Sequence, residues 1–262
     1  MNINLQGRKA VVCGSSQGIG RAIAFELAEL GASVTVMARN PEALESVVTE
    51  LDIEHGQKHG MVVADFSDLA RVKMAVEQFV ADGNSADILI NNTGGPPGGL
   101  AVDAKPQEFV AAFESHLICN HLLTTAFVDG MKQREYGRII NIISTSVKQP
   151  IKGLGVSNTI RGAVANWAKT LAGELGPFGI TVNNVLPGMT RTGRLDSIIA
   201  NRSQKSGKSI EEVTAEMESE IPAARIAEAS EIAAAAAFLA SPAASYINGI
   251  NLPVDGGRTG CL

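Results

Sequence analysis

"CGSSQGIG", Cys13–Gly20, closes a β-branched run, "KAVVCG" (Lys9–Gly14), and opens a helically periodic stretch, "GIGRAIAFELAELG" (Gly18–Gly31), that stops on glycine. Glycines at 14, 18 and 20 let the chain turn tightly and let a pyrophosphate approach the backbone. The helix behind them would offer its free N–H groups to that anion. A bare glycine triplet could equally be a tight turn. Its place between a strand and a helix makes it a dinucleotide loop, with Gly14, Ser16, Gln17, Gly18, Ile19 and Gly20 as cofactor-binding residues.

The alternation continues downstream. "SVTVMAR" (Ser33–Arg39) reads as a second strand. "NPEALESVVTELD" reads as a helix with Asn40 at its N-cap and Pro41 at its first position. "GMVVADFSD", "ADILINNTGG", "YGRIINIIS" (Tyr136–Ser144), "GITVNNVLPG" (Gly179–Gly188) and "GINLPVDGG" (Gly249–Gly257) supply five more strands. Continuously apolar strands separated by helices predict an α/β fold: a doubly wound parallel sheet of about seven strands, with helices on both faces. The 262 residues suit one such domain, 1–262. Residues 189–225 interrupt the pattern at the carboxyl end of the sixth strand, before a last helix at Ser230–Leu239. Ligands bind at that end of such sheets, so the segment is expected to be a substrate lid; the plainer reading is a mobile surface excursion. Within it, "SIEEVTAEMESEI" begins with a capping box, Ser209 and Glu212, and predicts a short helix.

Composition narrows the function. With 45% hydrophobic and 19% charged residues the chain has an ordinary globular balance. Its apolar runs fall well short of a membrane span, and Met1–Arg8 carries no signal-like apolar core; a cytoplasmic protein without a membrane partner is expected. Cys13, Cys119 and Cys261 form neither a metal-ligand pair nor a disulfide framework, and no metal is expected. A net charge of −5 with no long basic run argues against nucleic acid as a partner.

The end of the second strand bears on the cofactor. An acidic residue there would grip the ribose 2′-hydroxyl of NAD. This chain has Ala38-Arg39-Asn40 instead. Arg39 cannot accept that hydrogen bond, but it can pair with a 2′-phosphate and stack on adenine. NADP(H) is therefore expected in preference to NAD(H), the alternative being a solvated surface arginine.

With "CGSSQGIG", "NNTGG" and "PGMTRT" in order, and "SYINGINLPVDGG" at the tail, the chain resembles the short-chain dehydrogenase/reductase family over nearly its whole length. Within that family it looks most like bacterial 3-oxoacyl-carrier-protein reductases. The resemblance implies a Rossmann domain, hydride transfer between a nicotinamide and a small carbonyl or alcohol substrate, and often a homotetramer. By the same resemblance Asp65 would meet the adenine, and Asn91, Thr93 and Gly94 would flank the adenosine ribose. Pro187, Gly188, Thr190 and Thr192 would hold the nicotinamide, and Ser144 would orient the substrate.

One stretch departs from the family. The expected Tyr-x-x-x-Lys pair falls on Ser157 and Arg161 in "GVSNTIRGAV" (Gly155–Val164), and the active-site Asn falls on His116. Tyr136 and Tyr246 are the only tyrosines, and neither is an obvious replacement. A tyrosine serves because a nearby cation can lower its pKa from about 10 towards working pH, a route closed to serine. Arginine stays charged where lysine could shuttle protons, though Arg161 can still donate hydrogen bonds to a ribose. Three explanations stand: an oxidoreductase with a rewired proton path, a catalytically silent NADP(H)-binding sensor or partner subunit, or different chemistry in the same pocket. His116, which could relay protons near neutrality, is the leading alternative acid; the plainer reading is a packing histidine. Lys148 and Lys152 are weaker candidates. "NNTGGPPGGL" is either a pocket wall or a turn, and Trp167 is either an interface anchor in a homodimer or homotetramer or a cover for the chain's own core.

Overall fold

In the computed structural model, which describes residues 1–261, the predicted alternation becomes β1 (Lys9–Cys13), α1 (Gly18–Glu29), β2 (Ser33–Ala38), α2 (Pro41–Glu50), β3 (Gly60–Val63), α3 (Leu69–Ala81) and β4 (Ile88–Asn91). The second half runs α4 (Pro106–Phe113), α5 (Cys119–Gln133), β5 (Gly137–Ile142), α6 (Gly155–Leu175), β6 (Ile180–Pro187), α7 (Gly193–Ser206), α8 (Ile210–Ser219), α9 (Ala229–Ala240) and β7 (Asn251–Val254). The seven strands form one parallel sheet in the order β3-β2-β1-β4-β5-β6-β7. The order reverses between β1 and β4, and their carboxyl ends frame the crevice where such sheets take ligands.

Both faces of the sheet are covered, which is why its strands lack polar alternation. Val12, Ile90, Ile140 and Val185 pack with Ile23 and Leu27 of α1 and with the alanines of α9. Val11, Leu89, Ile139 and Val182 face Val72 of α3, Leu123 and Phe127 of α5 and Ala168 of α6. Trp167 is partly buried against this second core and meets His121 edge-on. Asn40 caps α2 through Ala43 N, as its position predicted.

One polar course crosses the second face. Asn91, Asn141, Asn184 and Asn251 lie in register on four adjacent strands. Each donates from Nδ2 to the Oδ1 of the next, at 2.8–2.9 Å. The amides satisfy one another where water cannot reach, which makes buried asparagine tolerable. The Oδ1 at the head of the ladder, on Asn91, has no partner among the described residues.

Residues 189–225 are more regular than their sequence suggests. Alongside the expected helix α8, whose Ser209–Glu212 capping box forms, there is a second helix, α7. Thr192 caps it and Gly207, at φ +73°, ends it. Leu195 and Ile199 of α7 bury against Val213 and Met217 of α8 and Ile226 beyond. These two inward positions are all that α7 offers as a periodic signal, which is why the pattern missed it.

Candidate active site

The glycine loop has the shape its sequence demands. Gly14 and Gly18 take φ of +59° and +57°, a region costly for side-chain-bearing residues. A Cβ on Gly20 would lie 2.2 Å from the Gly14 carbonyl oxygen, so α1 starts against the loop itself. Gly14 N donates to Met37 O, and the buried Ser15 Oγ accepts from Met37 N, fixing the loop to the end of β2. Gln17 caps α1 without a side-chain hydrogen bond, which leaves the first-turn N–H groups free for an anion. The left-handed glycines of the loop and the uncapped N–H groups of the helix behind it fit a dinucleotide pyrophosphate.

Asn92 joins this loop to the strand across the switch point. Its Nδ2 donates to Cys13 O and Gly14 O at 3.2 and 3.3 Å. Both Asn91 and Asn92 lie in the stretch to Gly94 expected to flank the adenosine ribose, and the structure turns their side chains opposite ways. Asn91 was expected beside the adenosine ribose, but its side chain is buried in the asparagine ladder, leaving the backbone as its means of meeting a cofactor. Period-two geometry explains the difference, since neighbouring residues on a strand point opposite ways.

Arg39 stands exposed at the end of β2 and enters none of the ion pairs among the described residues. Asp65 follows β3, and its Oδ1 accepts from Ser67 N and Oγ. Those bonds, with the fields of Arg39 and Arg71, hold its carboxyl below the usual range. At the other end, Gly188 N donates to Val254 O, and the buried Thr190 donates to Gly188 O, shaping the turn after Pro187. Thr192 Cγ2 would lie 3.3 Å from a Cβ on Gly18, so this turn meets the glycine loop. Gly94 is open, with nothing within 4 Å of where its Cβ would be.

Ser144 follows β5, half-buried, its Oγ accepting from Ser146 N at 3.1 Å. Ser157 and Arg161 lie one turn apart on α6, both buried. Arg161 donates from Nη1 to the carbonyl of Ile142, two residues before Ser144. Burial, and then the field of Arg194, lowers its pKa to about 10, so it remains a cation at neutral pH.

His116 is buried on a π-helical turn, Glu114–Ile118, joining α4 to α5. Such turns often mark functional sites. Its Nδ1 is hydrogen-bonded to Thr93 Oγ1. Burial, with Arg161 and Arg194, pushes its pKa down to about 3. The imidazole is therefore neutral at working pH, which corrects the expectation of an acid titrating near neutrality.

The two tyrosines and the buried thiols are remote or inert as proton donors. Tyr136 is buried before β5, at the end of the strand away from the site, and its hydroxyl donates to Ala240 O. Tyr246 is fully exposed. Burial pushes the Cys119 thiol up to about 12 and the Cys13 thiol higher still.

The glycine-proline loop after β4 is a wall as well as a turn. Gly99 N donates to Gly153 O and Gly155 N to Gly99 O, tying it to the start of α6. Gly99–Ala101, Pro150–Gly153 and Asn158 surround a cavity of about 320 Å³, with Lys152 on its rim. Arg194, on α7, holds the same loop through Gly95 O and Pro96 O, at 2.8 and 3.1 Å. Sequence reasoning missed Arg194 because it missed α7.

Residues 14–259 match the family model described as Enoyl-(Acyl carrier protein) reductase. The chain belongs to the short-chain dehydrogenase/reductase family. It is 34% identical over 258 residues to the NADPH-dependent reductase BacG of Bacillus subtilis, covering 95% of this chain and 97% of that one. It is 35% identical over 253 residues to the 3-oxoacyl-[acyl-carrier-protein] reductase FabG of Haemophilus influenzae, covering 97% and 98%. The crystal structure of L-sorbose reductase from Gluconobacter frateurii, complexed with NADPH and L-sorbose, superposes with a TM-score of 0.94 at 30% identity over the whole of both chains. The chain is accordingly an NADP(H)-dependent oxidoreductase of this family. No helix among the described residues is long and apolar enough to cross a membrane, and they contain no cluster of three or more metal-ligating side chains.

Proposed function

We propose that the chain moves a hydride between NADP(H) and a carbonyl or alcohol substrate, and that a fixed positive charge does the work of the missing acid. The observation that carries this reading is Arg161, a buried guanidinium bound to the carbonyl of Ile142 at the end of the strand that leads to Ser144. When bound, NADPH supplies the hydride. The residues of the chain do the rest. Ser144 and Ser157 orient the carbonyl oxygen by hydrogen bonding. Arg161 stabilises the negative charge that grows on that oxygen, in a site where charge is poorly screened by water. The alkoxide left by hydride transfer takes its proton from water, relayed by the neutral His116–Thr93 pair, which gains one proton as it gives up another and so holds no net charge. The α7–α8 hairpin is the substrate lid, latched to the pocket wall by Arg194. A 3-oxoacyl thioester is the first substrate to try, from the likeness to the carrier-protein reductases.

The replacement of the tyrosine by Ser157 is what a catalytically silent binder would also show; the likeness to proteins named as NADPH-dependent reductases weighs against that reading. We also infer a homodimer or homotetramer, supported by Val110 and Phe113, which stand exposed on α4. A monomer in sedimentation equilibrium would exclude it.

The test follows NADPH oxidation across a carbonyl panel. Ser144→Ala is expected to lower turnover about 100-fold with the NADPH dissociation constant unchanged, because the serine meets the carbonyl and not the cofactor. Equal loss in NADPH binding and turnover would reject that role. Arg39→Asp is expected to remove the preference for NADPH over NADH in a fluorescence titration. A wild type that binds both equally would reject the Arg39 assignment.

A further inference from the structure

Among the described residues, no carboxylate lies within ion-pair distance of the cations Arg161, Arg194 and Lys152. Arg161 is only 8% exposed, and one hydrogen bond, to Ile142 O, accounts for it among the described residues. Arg138, the other deeply buried guanidinium, donates from Nη1 to two carbonyls and lies over the Tyr136 ring, with its Nε left unpartnered. Arg194 is exposed, its fork resting on two neutral carbonyls of the pocket wall. Neither Arg161, Arg194 nor Lys152 belongs to any of the ion pairs among the described residues. The turn bearing His116 packs on α6, which carries Arg161, and His116 bonds Thr93 of the same loop that Arg194 holds at Gly95 and Pro96, so both guanidiniums belong to one site.

Two guanidiniums that repel one another, one of them buried, are costly to hold unless a counter-charge arrives. A guanidinium fork matches a carboxylate bidentately, and a carboxylate displaces neutral carbonyls from it. We propose that the substrate brings this counter-charge: it is a carbonyl compound bearing its own carboxylate, which seats between Arg194 and Arg161 while its body fills the cavity edged by Lys152. The proposal rests on the oxidoreductase reading above and adds the charge of the substrate to it. Arg194 then sets specificity from the lid.

The probes are short 2-oxo and 3-oxo acids with their methyl esters, assayed by NADPH oxidation. Succinate and its dimethyl ester serve as non-reacting ligands, measured by calorimetry on protein saturated with NADP⁺. Acids are expected to exceed their esters in kcat/KM by about 10- to 100-fold. Succinate is expected to bind where its ester does not. Arg194→Gln should remove most of the acid preference through KM, and Arg194→Lys should recover part of it. Esters used as well as acids would overturn the carboxylate assignment and leave the oxidoreductase reading standing. Succinate binding that needs Arg194, with no NADPH oxidation by any acid or ester, would support the anion site and overturn the reductase reading. Succinate that competes with NADPH for the free protein would overturn the proposal by giving the cations to a cofactor phosphate.

Discussion

Gly20→Ala is expected to lower NADPH affinity at least about 100-fold and to destabilise the fold by roughly 1–3 kcal/mol. The backbone conformation at position 20 is ordinary; the obstacle is space. The new methyl carbon would lie 2.2 Å from Gly14 O and 2.7 Å from Asn92 Nδ2, and neither position is one that real atoms occupy. Relief requires moving the glycine loop away from α1, or displacing Asn92 from its bonds to Cys13 O and Gly14 O. Either movement takes the free N–H groups of α1 out of line with the pyrophosphate. Gly94→Ala is the control. Its methyl meets nothing in the protein, so any loss of NADPH affinity there without loss of melting temperature reports close approach of the cofactor. Calorimetric titration and thermal unfolding on the two variants decide the matter. Unchanged NADPH binding in Gly20→Ala would refute the cradle.

The sequence made most of this scaffold legible, because each strand is short, apolar and bounded by turn residues, and each long helix carries a buried stripe. Three features escaped it for physical reasons. Helix α7 buries only Leu195 and Ile199, and its stability rests on the Thr192 cap and on α8, which a local pattern does not report. The ladder from Asn91 to Asn251 is a register relation between strands far apart in sequence, although a similarly placed Asn in four successive strands was a signal that could have been used. The third is electrostatic. His116 lies at the position the family alignment gave it, yet its titration is governed first by burial in the fold, then by Arg161, forty-five residues on, and by Arg194 of α7. Residue type alone suggested an acid near neutrality, whereas the assembled fold makes a neutral imidazole beneath two cations.

Arg161→Met is expected to cut kcat/KM by about 10²–10³ while leaving the melting temperature equal to or above that of the wild type. The two effects have one cause. Folding lowers the Arg161 pKa to about 10, so the folded chain holds this proton less readily than the unfolded chain does. The charge thus costs stability at neutral pH, and an apolar side chain of similar length removes that cost along with the charge. A residue present only for packing would lose stability when truncated, and activity would follow. The same reading fixes the pH profile. His116, at about pKa 3, stays neutral from pH 5 upward and adds no inflection near 6.5. Turnover should hold level through neutrality, since neither the neutral His116 nor the charged Arg161 titrates there. Ser157→Tyr with Arg161→Lys would install an ordinary acid in place of the fixed charge, and the profile should then gain an inflection belonging to the tyrosine. A wild-type inflection between pH 6 and 7 that disappears in His116→Asn would instead make His116 the acid and refute the role given to Arg161.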